Sequence, residues 1–315
     1  MSLKKTTFAD FEKQWYFSLT EQCSWKCWYC DFPHKKEPKH APIEYVLEVF
    51  EMIKEITGRD QSIEYSIEGG ELGLLDEDYL TQIFNSELGD TYNVATNGLF
   101  MEKGYHRTFA KNIHYILYHV QPELFTPFNV RTYDLDPSIL IYYTFVISKR
   151  NLPILEEVLK QCENLNSYVL PHILQPRTPG LDLLSLDDFK YMYDVLCKSP
   201  IIKPDFTTRV ARIIERYNDE DWLDKHRKVC ANVYTQPIFD LPNKRINRCC
   251  ISITGDSVPI TYENIEKLYK NEKLFDTLKD QVCDGCIANF LWHDFRHQKY
   301  FKELIQIFKE FANVQ

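Results

Sequence analysis

The sequence predicts an α/β fold, a partial barrel of six βα units followed by a smaller α+β region. Two observations carry this. Short β-rich runs alternate with helix-period segments through the first ~200 residues, which points to βαβ units and a parallel sheet. Six such units fall short of a closed eight-fold barrel, so the sheet is expected to stay open.

The elements follow in order. Trp15–Leu19 (WYFSL) is apolar and strand-like and feeds into a cysteine cluster. Pro42–Thr57 has proline at a helix start, apolar residues at helical spacing and Gly58 as a stop. Ser62–Ile67 (SIEYSI) alternates and runs into Glu68-Gly69-Gly70-Glu71, and Asn93–Thr96 runs into Asn97-Gly98. Ile113–Val120, Leu140–Ile147 and Tyr168–Leu174 read as the remaining strands. Helices are expected over Glu77–Asn85, Lys103–Asn112, Pro153–Asn164 and Leu186–Cys197. A second region begins near Lys203 with a charged helix. It continues as a β-hairpin, Pro237–Leu241 and Arg245–Cys249 about the turn Pro242-Asn243-Lys244, and ends in an amphipathic helix, FKELIQIFKEFANV. The expected domains are therefore 1–202 and 203–315, with no internal repeat or low-complexity linker between them.

The chain has 315 residues and is 44% hydrophobic, enough to bury a sizeable core. With 37 basic and 46 acidic side chains, its net charge of −9 argues against a protein built to neutralise nucleic-acid phosphates. No run approaches ~18 apolar residues, so no membrane partner is expected. The N-terminal MSLKKTTFADFEKQWYF lacks a secretory signal, and the expected location is cytoplasmic. Ten cysteines in a chain of this kind point to metal or redox chemistry rather than a disulfide scaffold.

Those cysteines are clustered. Cys23, Cys27 and Cys30 share one short loop after the first strand, and Cys230, Cys249, Cys250, Cys283 and Cys286 lie in the second region. Cys162 and Cys197 fall on helical stretches and are expected to be small buried side chains. Thiolates are soft ligands that suit zinc or iron–sulfur clusters. Three on one loop leave a metal with an open position, whereas a structural site closes its fourth position with protein. A structural zinc knuckle is the competing reading of these three thiols.

Cys23-x3-Cys27-x2-Cys30 after a first strand resembles the signature of the radical S-adenosylmethionine (SAM) superfamily. Gly69-Gly70-Glu71 after the second strand is similar to that family's Gly-Gly-Glu motif. Thr96-Asn97-Gly98 after the third strand and the aromatic Tyr29 also fit. The resemblance covers roughly residues 14–175. It implies the radical SAM fold, with Cys23, Cys27 and Cys30 holding a 4Fe–4S cluster whose fourth iron chelates SAM. Glu71 and the Gly69–Gly70 backbone would meet the methionyl amino group, Tyr29 would lie beside the adenine, and Asn97 would complete the cofactor site. The chemistry implied is reductive SAM cleavage to a 5′-deoxyadenosyl radical, which takes a hydrogen atom from substrate. Two departures are visible. Leu72 stands where proline often follows Gly-Gly-Glu, and Tyr118-His119 stands after the fourth strand in place of a common serine. Arg131 and Arg150 are candidates for the SAM carboxylate.

Cys230, Cys249, Cys283 and Cys286 resemble the Twitch form of the SPASM auxiliary-cluster domain, which implies a second 4Fe–4S cluster. Cys249 is preferred to Cys250 as the hairpin ligand, since adjacent strand residues face opposite ways. A zinc site on the same four thiols, or one on Cys283, Cys286, His293 and His297, competes. Full cysteine ligation favours an auxiliary cluster that accepts an electron from a substrate radical. The expected reaction is then a net oxidation, dehydrogenation or bond formation, of a small polar metabolite or a peptide. A flavodoxin- or ferredoxin-like protein would supply the reducing electron. The alternatives are a redox-neutral epimerase, a glycyl-radical activating enzyme, or a non-catalytic zinc-stapled binding protein.

Overall fold

The structure, a computed structural model, describes residues 13–30, 36–120, 133–165, 168–173, 184–202, 204–216, 236–247, 257–270, 272 and 274–275. The chain folds into a mixed α/β architecture around a nine-stranded sheet. Strands β1 (Lys13–Ser18), β2 (Ile63–Glu68), β3 (Tyr92–Thr96), β4 (Ile113–His119), β5 (Leu140–Thr144) and β7 (Tyr168–Val169) lie side by side and parallel in chain order. The sheet is open, as expected for six units: β7 ends it on one side, and on the other it runs past β1.

Helix formation follows the apolar spacing. In α1 (Ile43–Thr57) Val46, Val49, Phe50, Ile53 and Thr57 repeat at three- and four-residue steps and are buried as one stripe. Gly58, at φ +59°, ends the helix by donating its N–H to Lys54 O at 3.0 Å. Helices α2 (Glu77–Phe84), α5 (Leu155–Asn164) and α6 (Leu186–Lys198) cover the expected stretches. Ser185 opens α6 with a capping box to Asp188.

Three expected elements come out differently. Lys103–Asn112 is not one helix: Gly104, at φ +79°, separates α3 (Leu99–Glu102) from α4 (Tyr105–Thr108), and a 3₁₀ turn follows. Leu140–Ile147 divides into β5 and β6 (Val146–Ile147), and the sixth expected strand divides into β7 and β8 (His172–Ile173), whose partner is β6. Pro171 lies at that second break and has no N–H to give to a ladder. Cys162 is buried, but Cys197 is exposed: the α6 stripe is Phe189, Met192, Val195 and Leu196, and the next residue turns away from it.

The expected hairpin forms. β9 (Ile238–Asp240) and β10 (Arg245–Asn247) run antiparallel about a 3₁₀ turn at Leu241–Asn243, with Lys244 at φ +56°. β9 pairs parallel to β1, Phe17 opposite Phe239, so the hairpin extends the barrel sheet. β11 (Ser257–Pro259) and α8 (Tyr262–Tyr269) complete this edge, and α7 (Pro204–Arg216) is the expected charged helix. Phe239 is fully buried and stacks on Phe17 at 4.9 Å between ring centroids, while Phe17 meets Phe50 of α1 edge-on at 5.1 Å. The C-terminal amphipathic helix expected from the sequence lies outside the described residues. Among the described residues no helix is long and apolar enough to cross a membrane.

Candidate active site

The C-terminal ends of β1, β2 and β3 bring three sequence motifs into one hydrogen-bonded assembly. After β1 the chain leaves the sheet at Thr20 and returns at His40. These two residues form an antiparallel bridge, with Glu21 N donating to Lys39 O at 2.9 Å and Ala41 N to Leu19 O at 3.0 Å. The loop so closed carries Cys23, Cys27 and Cys30, all half-buried and none in a disulfide. Cys30 N donates to Cys27 O at 3.1 Å, a tight turn that brackets Trp28 and Tyr29, whose rings meet edge-on at 5.5 Å.

The Gly-Gly pair is explained by how closely this loop crosses it. Gly69 and Gly70 have φ +94° and +48°, and a Cβ at Gly70 would lie 1.9 Å from Gln22 O. A Cβ at Gly69 would lie 2.1 Å from Ser18 Oγ. Only glycine permits both the backbone twist and the approach. Glu71 N then donates to Gln22 O at 2.7 Å, one residue before Cys23.

Glu71 itself faces inward and is fully buried. Its Oε1 accepts from Gly73 N at 2.8 Å, Phe100 N at 3.1 Å and Thr96 Oγ at 2.8 Å. Its Oε2 accepts from Asn97 N at 2.7 Å and Thr96 Oγ at 3.0 Å. Burial pushes its pKa up, and the bonds from Asn97, Gly73, Thr96 and Phe100 pull against that rise. The carboxylate expected to meet the SAM amino group also holds the β3 turn. Leu72, the departure from proline noted above, is buried in the core at the start of the 3₁₀ turn Leu72–Leu74, which the Glu71 side chain caps. Burial anchors this turn where a proline ring would stiffen it.

Asn97 closes the circuit. Its Nδ2 lies 3.0 Å from Ser24 Oγ and 3.6 Å from Cys23 Sγ, and its Oδ1 accepts from Leu99 N at 3.4 Å. Burial raises the pKa of the Cys23 thiol, and the Trp25 N–H pulls it back. Nearby charge on Glu71 and Cys30 adds to the rise, while Asn97 opposes it. Among the described residues no three Cys, His, Asp or Glu side chains gather around a single-ion point. Three soft thiols on one loop, its backbone pinned by the glycine turn, are a donor set that suits an iron–sulfur cluster.

Glu21 and Asp240, which the sequence reading did not single out, join this frame. Glu21, buried, accepts from Lys39 N at 3.1 Å and from Asn243 Nδ2 at 2.6 Å, linking the base of the thiol loop to the β9–β10 turn. Asn243 also meets Asp240, which pairs with Arg245 at 2.9 Å. Arg150 sets its guanidinium 4.1 Å from the Trp28 ring centroid, against the thiol loop. Arg131 lies outside the described residues, as do Cys230, Cys249, Cys250, Cys283, Cys286, His293 and His297. His119, at the end of β4, stacks on His172 with centroids 6.1 Å apart, and burial together with that neighbour pushes its pKa down to about 3. On the inner face of the sheet Tyr16 Oη donates to Gln14 Oε1 at 2.6 Å, and Tyr115 Oη donates to Glu64 Oε2 at 3.1 Å. Beside them the buried Ser66 hydroxyl and Asn93 amide have no hydrogen-bond partner among the described residues.

No family model matches the sequence, and no curated protein does. Solved structures do match. Streptococcus suis SuiB bound to the precursor peptide SuiA superposes with a TM-score of 0.57 at 14% identity, over 90% of this chain and 71% of SuiB. SuiB bound to S-adenosylmethionine gives 0.54 at 12% identity, over 88% and 68%. Histidine-tagged anSMEcpe with bound AdoMet gives 0.54 at 12% identity, over 96% and 94%. At these identities the likeness speaks for the fold alone, an open, largely parallel α/β sheet of the partial-barrel type.

Proposed function

We propose that the chain is a radical SAM enzyme that oxidatively modifies a peptide or a small polar metabolite. The observation that carries this is the closed hydrogen-bonded chain Gln22–Glu71–Asn97–Cys23, which joins the thiol loop, the Gly-Gly turn and the Thr-Asn-Gly turn at three successive strand ends. A 4Fe–4S cluster on Cys23, Cys27 and Cys30, with SAM bound to it, supplies one-electron sulfonium cleavage and hydrogen-atom abstraction. The chain's own part is positioning. Gly69 and Gly70 present backbone to the SAM amino group, Tyr29 lies beside the adenine, and Asn97 borders the site. Glu71 acts from behind the turn, by fixing its shape. The open top of a parallel barrel is where such groups converge.

The division into a barrel over 1–202 and an auxiliary region over 203–315, with Cys230, Cys249, Cys283 and Cys286 around a second cluster, belongs to the same proposal. So does a flavodoxin- or ferredoxin-like electron donor. A peptide substrate is supported by SuiB, whose barrel matches this one and which was solved with its precursor peptide. The polar inner face of the sheet, with Asn93 and Ser66 unpartnered among the described residues, suits a substrate rich in amides or hydroxyls. Anaerobic iron and sulfide analysis tests the proposal. Roughly eight irons per chain are expected from two four-iron clusters, and zinc without iron would refute it.

A further inference from the structure

Asn97 holds its side chain in one orientation. Leu99 N donates to Oδ1 at 3.4 Å, so Nδ2 must face the thiol loop, where Cys23 Sγ lies 3.6 Å away and Ser24 Oγ 3.0 Å away. The Asn97 backbone is held from below by Glu71 Oε2 at 2.7 Å, and Thr96 Oγ, which donates to the same carboxylate, accepts from Gly98 N at 3.0 Å. The amide donor is therefore fixed by a buried anion rather than by solvent.

Resting on the functional assignment above, we propose that Asn97 sets the reduction potential of the cluster on the thiol loop, with Glu71 as the positioning residue that aims it. An N–H directed at a ligating sulfur favours the more negative, reduced state, because each added electron places charge on the thiolates. Among the described residues, two donors lie within hydrogen-bond reach of Cys23, the Trp25 N–H and the Asn97 amide. The first is backbone and follows the loop. The second is a side chain from another strand end, and its contribution changes with one substitution. Raising the potential eases electron entry from a low-potential donor, a role separate from any contact Asn97 makes with SAM.

The test is an EPR-monitored redox titration of the anaerobically reconstituted full-length chain, following the iron–sulfur signal that changes when SAM is added. Asn97→Ser retains an acceptor for Leu99 N–H but is too short to reach Cys23. Asn97→Asp keeps the length and replaces the donor with a negative acceptor. Both variants should keep their iron and titrate at a more negative midpoint than wild type, Asn97→Asp further than Asn97→Ser. Ser24→Ala, which removes the other partner of Nδ2, should leave the midpoint in place. An unchanged midpoint in whichever Asn97 variant keeps its iron overturns the inference alone. A wild-type chain that takes up no iron overturns the functional assignment and this inference together.

Discussion

Glu71 is a buried anion whose neighbours are all donors. Among the described residues, three backbone N–H groups and one hydroxyl converge on its carboxylate. Glu71→Gln would turn an amide nitrogen toward one of those donors, at a cost of about 1–3 kcal/mol. A lower melting temperature is therefore expected in protein stripped of metal and without SAM. An unchanged melting temperature would mean that Glu71 serves only a bound ligand. The cysteine triplet and the glycine pair were legible as strand-end features in the sequence, because both have few other uses after a strand. The direction of Glu71 was not legible. A carboxylate after two glycines faces ligand or core depending on where the next turn falls, and that is set by β3, about 25 residues on. Cys197 was misread for a simpler reason: it sits one step, about 100°, from the buried stripe of α6.

At the scale of elements, the hairpin is part of the barrel's own core. Phe239 lies on β9, beyond residue 203, yet it is sealed between Trp15 and Phe17 of β1. Phe239→Ala should cost about 3–5 kcal/mol and lower the main unfolding transition as a whole. A separate, earlier transition with the main one unmoved would mean that the hairpin folds on its own. The β4 and β8 ends carry a second prediction. His119 has a pKa near 3 in the fold against an ordinary value of 6.5, so the folded chain binds fewer protons than the unfolded chain between those pH values. Stability from this group is present above pH 6.5 and is lost as pH falls toward 3. His119→Gln should flatten the fall in melting temperature over that range, and an unaltered slope would argue against a ring held neutral by the fold. Strand order and α1, α2, α5 and α6 were readable from periodicity. The breaks were not, because Gly104, in a left-handed conformation, and Pro171, without an N–H, each interrupt a run whose neighbours suit one continuous element. β11 and α8 were missed, since their sequences are short and largely polar, with Ile265 and Leu268 buried and Val258 and Tyr269 packed against the core.

At the scale of the whole molecule, the open sheet explains how one chain can serve both parts of the proposed chemistry. Its edge at β1 is taken by β9, and the turn of that hairpin reaches the base of the thiol loop through Asn243 and Glu21. The net charge of −9 stands apart from this frame and fixes no function. The central claim is that Cys23, Cys27 and Cys30 together make the chain cleave SAM. The direct measurement is 5′-deoxyadenosine formed from SAM and dithionite by the anaerobically reconstituted chain, beside the variant with all three cysteines changed to alanine. Formation by wild type and none by the variant is the predicted result. Equal formation by both, or none by an iron-loaded wild type, would contradict it.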